Sequence, residues 1–366
     1  MNSHVLAIKW RPRSFNDVVG QNHVVQAIKY SLFTKKIHPA WILSGSRGIG
    51  KTTIARIFAM GLSCLKGITK NPCGLCENCI SIKNNSFLDL IELDSASKTK
   101  VEDIREILET IYYLPVKGRY KIYIFDEFHM LSKHSFNALL KIIEEPPEYI
   151  KFIFATTELQ KIPITITSRC MQFNLKLIEK NLILDQLKKI LNKEKIKYNQ
   201  EALDILSDAA YGSMRDALSL TDQLISMGSF TVENVHLMLG LVKKKYLFLL
   251  IYNFKNKKHN LVFNLINKIS MFNINWENII TEMMILLHNI LKIKILKYNS
   301  DYFFQNLNFE KNISIFSQKI FNDFSENELT FLYKFLNTGK KNLYLAPNPK
   351  IGFEMIILEI LLYFSN

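Results

Sequence analysis

The sequence predicts an α/β domain with a parallel sheet and helices on both faces, followed by two all-helical domains. Three observations support this fold class. Short apolar runs alternate with helical patterns through the first 177 residues, which is typical of a parallel sheet. A glycine-rich loop follows the first run, at the strand end where such sheets bind ligands. Beyond about residue 178 only helical patterns continue.

The first elements lead up to the glycine-rich loop. Residues 1–21 form a mixed polar and apolar lead-in, and residues 22–33 have the periodicity of an amphipathic helix. The apolar run 41–43 then enters the loop, and a helical pattern follows it to about residue 62. A cysteine-rich insert comes next, at residues 64–79.

Four further strand-like runs complete the predicted sheet. They cover residues 89–93, 121–125, 151–155 and 171–175. Helical patterns at 101–111 and 135–143 separate them, and Pro146 and Pro147 end the second of these helices. The strands therefore alternate with helices, and their carboxyl ends are expected to share one edge.

The remaining elements are predicted to be helical. Four helices of a small second domain are expected at residues 181–191, 201–210, 214–225 and 232–239. We predict a nucleotide-binding domain over 1–177, a helical lid over 178–242 and a helical oligomerisation domain over 243–366. The lysine-rich segment 243–245 is the expected linker.

Composition indicates a globular protein without a membrane span. The chain has 366 residues, enough for two or three domains, and 48% of them are hydrophobic. No apolar stretch reaches the roughly 18 residues that a membrane span requires. Residues 1–15 also lack the apolar core of a secretory leader. We therefore expect a cytoplasmic protein.

The basic residues carry a second signal. A formal net charge of +14 favours a polyanionic partner, although a lysine bias of the whole genome would produce the same charge. Because lysine is the default cation here, each arginine indicates a site that needs a planar, permanently charged fork. Arginine accounts for 8 of the 47 basic residues, at positions 11, 13, 47, 56, 105, 119, 169 and 215.

The glycine-rich loop fits the phosphate-binding pattern G-x-x-x-x-G-K-[ST] over residues 45–52. Glycines let backbone N–H groups close on phosphate oxygens, and the following helix directs its positive end at the anion. Lys51 is expected to reach the β- and γ-phosphates of ATP, and Thr52 to bind Mg²⁺. A chance glycine-rich turn is the alternative, but the strand before and the helix after favour the phosphate loop. The candidate residues are Gly45, Ser46, Arg47, Gly48, Ile49, Gly50, Lys51, Thr52 and Thr53.

An acidic pair follows the predicted strand 121–125. Asp126 is expected to hold Mg²⁺ through water, and Glu127 to orient or polarise the attacking water. Solvated acids often end strands, so the pair means little alone. Its position about 75 residues after a phosphate loop is what makes it a catalytic candidate, and a glutamate beside the aspartate favours hydrolysis.

Four cysteines indicate a structural zinc site. Cys64, Cys73, Cys76 and Cys79 follow the spacing C-x8-C-x2-C-x2-C, and four thiolates fill a tetrahedral Zn²⁺ shell with no position left open. Disulfides and a redox C-x-x-C pair are the alternatives. A reducing compartment disfavours the first, and the four-cysteine density disfavours the second. Cys170 is expected to be a small buried filler.

Three further segments contain candidate functional residues, each of which also has a simpler structural explanation. Thr157 comes directly after the strand-like run 151–155, near the expected γ-phosphate, or is strand filler. Arg169 lies in a polar break before the last strand, or is a surface cation. Arg215 begins a helix, where a cation is unfavourable unless Asp216, Asp222 or a phosphate compensates it.

The segment 95–105 offers hydroxyls and cations at a predicted helix start. Such a start suits a DNA phosphate, but a solvated helix cap is an equal alternative. No base-reading signature accompanies it, so any DNA contact is expected to follow the backbone.

These motifs together resemble one family, the gamma/tau subunits of bacterial DNA polymerase III, which are AAA+ ATPase motors of the sliding-clamp loader. The match is specific through about residue 240 and weaker beyond it. It is carried by VLAIKWRPRSFNDVVGQ at 5–21, GSRGIGKTT at 45–53, the four cysteines, DEFHMLS at 126–132, NALLKIIEEPPE at 137–148, TSRC at 167–170 and GSMRDALS at 212–219.

The resemblance implies roles for single residues. Thr157 would sense the γ-phosphate, and Arg215 would report nucleotide to the lid. Arg169 would be an arginine finger that enters a neighbouring subunit's site. The lead-in would surround the adenine through Ala7, Trp10, Arg11, Val18 and Val19.

It also implies partners. Copies of the chain would form a pentameric ring with delta and delta-prime subunits through the helical third domain, called the collar. ATP binding would let the ring grip and open the beta sliding clamp, and primer-template DNA would trigger hydrolysis. The length resembles the short gamma form, and the expected location is the bacterial cytoplasm at the nucleoid. No polymerase active site is expected, because ATP accounts for Asp126 and Glu127.

Two other functions compete with this one. A AAA+ branch-migration helicase would have a similar loop, acidic pair and arginine finger, but the cysteine insert and the helical last third argue against it. A non-hydrolysing scaffold resembling the delta-prime subunit would lack a working phosphate loop, whereas Gly50, Lys51 and Thr52 are intact here.

Overall fold

The computed structural model describes residues 5–96, 106, 108–242, 244–256, 258–271, 274–296 and 320–365. The chain forms two compact units, Met1–Gly228 and Ser229–Asn366. The first contains the sheet and the second is helical in its described part. The three-domain division with borders after residues 177 and 242 remains a prediction.

A five-stranded parallel sheet is the centre of the first unit. Its strands are β1 (Ala40–Ser44), β2 (Leu90–Asp94), β3 (Lys121–Asp126), β4 (Ile150–Thr156) and β5 (Met171–Asn174). Their order is β2-β3-β4-β1-β5, and all pairs are parallel. The predicted parallel α/β sheet is confirmed, and β4 lies between β1 and β3.

Nine helices with fully described bounds accompany the sheet in the first unit, besides the helical residues 108–111. They are α1 (Leu6–Lys9), α2 (Asn22–Thr34), α3 (Lys51–Ser63), α4 (Glu77–Lys83), α5 (Lys133–Glu144), α6 (Ile164–Thr167), α7 (Lys180–Lys193), α8 (Gln200–Ala209) and α9 (Met214–Ser226). α5 begins earlier than the apolar pattern indicates, because Ser132 Oγ accepts the Ser135 N–H and caps it. The predicted helix at 101–111 falls largely outside the described residues.

Two apolar cores lie on opposite faces of the sheet because strand side chains alternate. On one face, Trp41 and Leu43 pack with Phe58 of α3. On the other, Ala40 and Ile42 pack with residues of α5 such as Leu139. All five residues of β1 are buried, as expected for a central parallel strand with helices on both faces.

The last helix of the first unit, α9, contacts the N-terminal segment of the same unit. Ser213 Oγ accepts the Asp216 N–H and caps α9. The Leu6 N–H at the start of α1 donates to Asp222 Oδ2 of α9 at 2.7 Å. The lead-in is thereby attached to α9.

The second unit is helical throughout its described residues. Its helices are α10 (Val232–Leu239), α11 (Lys244–Lys255), α12 (His259–Ser270), α13 (Trp276–Leu296), α14 (Glu326–Asn342) and α15 (Pro349–Ser365). The helices from α11 to α15 share one apolar core, in which Phe248, Phe254 and Phe353 are fully buried. Among the helices that the structure describes, none has the length and apolar character to cross a membrane.

Candidate nucleotide-binding site and cysteine cluster

The phosphate-binding loop joins β1 to α3 through left-handed backbone. Gly45, Gly48 and Gly50 have φ values of 137°, 77° and 109°. Gly48 is also pressed against the start of α9, since a Cβ there would lie 2.0 Å from Ser213 Oγ. Position 48 therefore requires glycine, both because its φ is positive and because Ser213 leaves no room for a Cβ.

Lys51 is the first residue of α3, and its side chain turns back into the loop. Its ammonium donates to the carbonyl oxygens of Gly45 at 2.7 Å and Ser46 at 2.8 Å. Burial lowers the pKa of Lys51 below its ordinary value, while the carboxylates of Glu127 and Asp126 act in the opposite direction. The cation is therefore held inside the loop, where the motif requires it.

Thr52 and the acidic pair meet across the sheet edge. Thr52 Oγ1 donates to Asp126 Oδ2 at 2.9 Å, which brings together the hydroxyl and the carboxylate expected to hold Mg²⁺. Glu127 follows with φ 47°, a left-handed conformation that is unusual for a non-glycine residue. Thr157 Oγ1 donates to Glu127 Oε2 at 3.1 Å.

Sheet topology explains this convergence. β4 lies between β3 and β1, and all three strands run in the same direction. The loop after β1, the acidic pair at the end of β3 and Thr157 after β4 therefore share one edge. Six of the candidate residues from three distant segments are brought together in this way: Gly45, Lys51, Thr52, Asp126, Glu127 and Thr157.

Arg11 connects the lead-in to the helix after the loop. Its Nε donates to Thr53 Oγ1 at 3.1 Å. Burial, and then the cation of Arg56, lower the pKa of the Arg11 guanidinium, while Glu92 and Asp126 oppose this shift. Arg56 in turn pairs with Glu92 at 2.5 Å. A cationic group thus lies beside the acidic edge of the site.

The other lead-in candidates lie farther along the same segment. Trp10 Nε1 donates to Glu194 Oε1 at 2.8 Å, just after α7, so its indole is engaged with the lid helices. Ala7 belongs to α1 and is half-buried, as are Val18 and Val19 after the short turn at Phe15–Asp17. Their expected contacts with adenine remain predictions.

Arg215 lies where the loop and α9 touch. Its N–H donates to the Gly48 carbonyl at 3.2 Å, and its side chain is exposed. In the described part of the chain, neither Asp216 nor Asp222 forms an ion pair with Arg215; Asp222 accepts the Leu6 N–H instead. The Arg215 side chain is therefore exposed and has no carboxylate partner among the described residues.

Arg169 lies at the opposite edge of the sheet from the loop. It precedes β5, whose first residue Met171 pairs with Trp41 near the amino end of β1. Its guanidinium forms an ion pair with Glu144 at 2.9 Å and donates to the Thr165 carbonyl at 2.7 Å. The side chain is 40% exposed. Arg169 is thus not brought to its own chain's phosphate loop.

The four cysteines of the insert form one cluster. Their Sγ atoms all lie within 4.8 Å of one another, with Cys64 and Cys73 separated by 3.6 Å and Cys73 and Cys79 by 4.0 Å. A disulfide would need about 2.05 Å. Tetrahedral Zn²⁺ with Zn–S bonds of about 2.3 Å places its sulfurs about 3.8 Å apart. The donor set and its spacing fit zinc.

Hydrogen bonds around the cluster favour the thiolate form of one cysteine and fix the backbone next to the cysteines. The N–H groups of Leu75 and Cys76 lower the pKa of the Cys73 thiol to about 6, which favours the thiolate. Burial acts oppositely on Cys79 and raises the pKa of its thiol. Arg119 Nη1 donates to the Cys64 carbonyl at 2.6 Å, and Asn78 Nδ2 to the Ser63 carbonyl at 2.9 Å. The backbone of Cys64, the first candidate ligand, is therefore held by Arg119, which lies outside the insert.

Several contacts of the site did not follow from the sequence motifs. Arg119 and the pair Arg56–Glu92 were not identified as site residues, although the scarcity of arginine was a signal for both arginines. His129, which lies 3.6 Å from Glu127 Oε2, had no such signal because its hydrogen-bond partner Thr156 lies on another strand. Cys170, expected to be buried, is half-buried at the margin of the core, and burial raises the pKa of its thiol to about 12.

Three family models match the chain in succession. Residues 20–179 match the model described as DNA polymerase III, delta subunit, and residues 182–230 match the ATPase lid domain of the DNA polymerase III clamp loader subunit. Residues 230–365 match domain III of the DNA polymerase III subunits gamma and tau.

Relatives resemble the chain over nearly its whole length. DNA polymerase III subunit gamma of Buchnera aphidicola subsp. Baizongia pistaciae is 47% identical over 98% of this chain and 97% of its own. Subunit tau of Escherichia coli is 44% identical over 99% of this chain and 56% of its own.

A solved structure of the Thermotoga maritima RuvB Holliday junction branch migration motor is 18% identical, with a TM-score of 0.49. It covers 67% of this chain and 78% of that one, a likeness too small to bear on function. With full-length relatives at 44–47% identity and clamp-loader models along its length, the chain belongs to the gamma/tau family of DNA polymerase III clamp-loader subunits.

Proposed function

We propose that this clamp-loader subunit hydrolyses ATP and uses the energy to open the beta sliding clamp and load it onto primed DNA. The observation that carries the proposal is the meeting of Lys51, Thr52, Asp126 and Glu127 at one sheet edge. A buried cation, a hydroxyl–carboxylate pair and a second carboxylate are the parts that phosphate-loop hydrolysis needs.

Each residue at this edge has one task. Lys51 holds the β- and γ-phosphates, and Thr52 and Asp126 hold Mg²⁺, which neutralises phosphate charge when bound. Glu127 orients the attacking water and accepts its proton. Thr157, which contacts Glu127, senses the γ-phosphate.

Arg169 acts on a neighbouring subunit in this proposal. It lies at the sheet edge opposite its own loop and is partly exposed, so only another chain's site is open to it. To act in a neighbouring site, the Arg169 guanidinium leaves Glu144 and binds phosphate oxygens instead, since both accept its paired N–H donors. Hydrolysis is then a property of the assembled ring.

Arg215 reports the nucleotide to the lid. Its backbone already donates to Gly48, so the start of α9 moves with the loop. An anionic phosphate beside the exposed guanidinium would draw α9 further toward the site. The lead-in residues Ala7, Trp10, Arg11, Val18 and Val19 complete the proposed pocket by enclosing the adenine.

The cysteine cluster holds structural Zn²⁺ in this proposal. Cys64, Cys73, Cys76 and Cys79 supply four thiolates and leave no open position for substrate, so zinc fixes the fold of the insert. The metal is expected to contribute stability to this insert and no chemistry to hydrolysis.

The proposed partners follow from family membership. Copies of this chain assemble with delta and delta-prime subunits in a pentameric ring through the second, helical unit, and the ring binds the beta clamp and the primer-template backbone at the nucleoid. The candidate DNA-contacting residues 97–105 lie outside the described part of the chain.

Steady-state ATPase assays of the ring test the function. The chain is mixed with delta and delta-prime, and hydrolysis is measured alone, with clamp, with primed DNA and with both. Stimulation by clamp and primed DNA together is expected. Equal stimulation by unprimed DNA without clamp would point to a branch-migration helicase instead, and no hydrolysis under any condition would indicate a scaffold.

A further inference from the structure

His129 lies between the carboxylates of Glu127 and Glu158, next to the candidate catalytic residues. It belongs to the short turn Phe128–Met130 that follows Glu127, and its side chain is 6% exposed. Its Nδ1 is 3.6 Å from Glu127 Oε2, and its Nε2 is 3.5 Å from Glu158 Oε1. An almost buried imidazole thus joins the candidate catalytic carboxylate to the segment that follows β4.

The surroundings of the ring fix its orientation. Nδ1 also lies 3.1 Å from Thr156 Oγ1, and this buried hydroxyl accepts the Glu158 N–H at 3.1 Å. Glu158 is itself tied to Lys161 at 2.9 Å. The imidazole therefore cannot turn without breaking contacts on both of its nitrogens.

Glu127 is constrained from several directions. Its left-handed backbone, with φ 47°, is held by the Met130 N–H, which donates to the Glu127 carbonyl at 2.9 Å. Its Oε2 meets both Thr157 Oγ1 and the Nδ1 side of His129. Among the described residues, no hydrogen bond or ion pair reaches Oε1. One carboxylate oxygen is thus held, while the other has no such partner in the described part of the chain.

We propose that His129 is a positioning residue that holds the Glu127 carboxylate in the orientation required to activate water. The inference rests on the proposed ATP hydrolysis. If Thr157 turns to the γ-phosphate, as a sensor must, Glu127 loses that hydrogen bond at the moment of reaction. His129 is then the side chain that still faces Oε2, and its anchorage to Thr156 and Glu158 keeps Glu127 aligned.

Three substitutions test this in the assembled ring with clamp and primed DNA. His129→Ala removes both nitrogens, His129→Asn keeps an N–H donor near Nδ1, and His129→Gln keeps one near Nε2. We expect kcat to fall about 10- to 100-fold in the Ala and Gln variants, as for a misaligned catalytic group. The Asn variant should retain most of kcat, while the Kd for ATP stays within about twofold in all three.

Melting temperature and ATP binding separate positioning from folding. Should His129→Ala fail to fold, the comparison of the Asn and Gln variants still decides. Equal kcat in those two, or an unchanged kcat in His129→Ala, would overturn the inference while leaving the proposed function intact. A ring of unmutated chains that hydrolyses no ATP would overturn the proposed function, and this inference with it.

Discussion

At the scale of single residues, the site depends on a cation that has been removed from water. Lys51 is only 5% exposed and is hydrogen-bonded to two loop carbonyls, so the loop is built around its ammonium. A phosphate that enters this loop meets a positive charge with little competing solvent. Charge interactions are strongest in such a partly desolvated place.

Lys51→Ala is therefore expected to abolish ATP binding. The substitution removes the charge that faces the β- and γ-phosphates and leaves two loop carbonyls without their donor. Titration with a fluorescent ATP analogue measures the effect. Lys189→Ala, an exposed lysine on α7, is the matched control and should bind normally. ATP affinity near that of the unmutated chain in Lys51→Ala would contradict the assignment.

At the scale of elements, we propose that the contact between the phosphate loop and α9 couples nucleotide binding to the lid. Gly48 fits against Ser213 and Arg215 only because it has no Cβ, and the Arg215 N–H bonds to its carbonyl. The loop and the first turn of α9 are therefore in direct contact.

Gly48→Ala should disrupt this coupling. A Cβ would collide with Ser213 Oγ, and left-handed backbone costs a non-glycine residue about 1–2 kcal/mol. We expect ATP affinity to fall at least about tenfold, a loss of about 1.4 kcal/mol. Gly228→Ala is the control, since its φ of 86° brings similar strain with nothing within 4 Å of the new Cβ. Equal ATP affinity in both variants would refute the steric argument.

The cysteine cluster is the second element that can be tested on its own. Cys76→Ser should release zinc and destabilise the insert, because three thiolates and a hydroxyl bind zinc more weakly than four thiolates. Metal analysis and thermal unfolding measure this, and Cys170→Ala serves as control. ATP binding should persist. Absence of zinc from the unmutated protein purified without chelators would contradict the proposed site.

At the scale of the whole molecule, the two edges of the sheet have different tasks. The carboxyl edge gathers the loop, the acidic pair and Thr157, whereas Arg169 lies at the amino edge, paired with Glu144. In the proposed mechanism, a single chain therefore carries a site without its arginine finger, and an arginine that acts on another chain. Assembly in a ring would bring the arginine of one chain to the site of the next.

Arg169→Ala should leave ATP binding intact and slow turnover of the ring. Arginines supplied from a neighbour contribute about 10³–10⁵-fold to phosphoryl transfer, or about 4–7 kcal/mol. Single-turnover hydrolysis in the assembled ring measures the change. The isolated, unmutated chain is the natural control and should be comparably slow. A variant ring with an unchanged rate would remove Arg169 from the mechanism.

The sequence by itself determined the parallel α/β sheet, the helical remainder, the phosphate loop and the four-cysteine cluster. Local information suffices for these features, because alternating apolar runs, glycines at fixed spacing and closely spaced thiols depend on neighbours along the chain. The start of α5 was less accurate, since a capping hydroxyl lies outside the apolar pattern.

Only the tertiary structure decided which distant residues meet. Strand order set Asp126 beside Thr52 and Thr157 beside Glu127, and it put Arg169 at the far edge. The tertiary structure also brings His129 to Thr156, and Arg119 to the Cys64 carbonyl. No local pattern encodes such contacts, because they arise from the packing of segments that the chain separates by tens of residues.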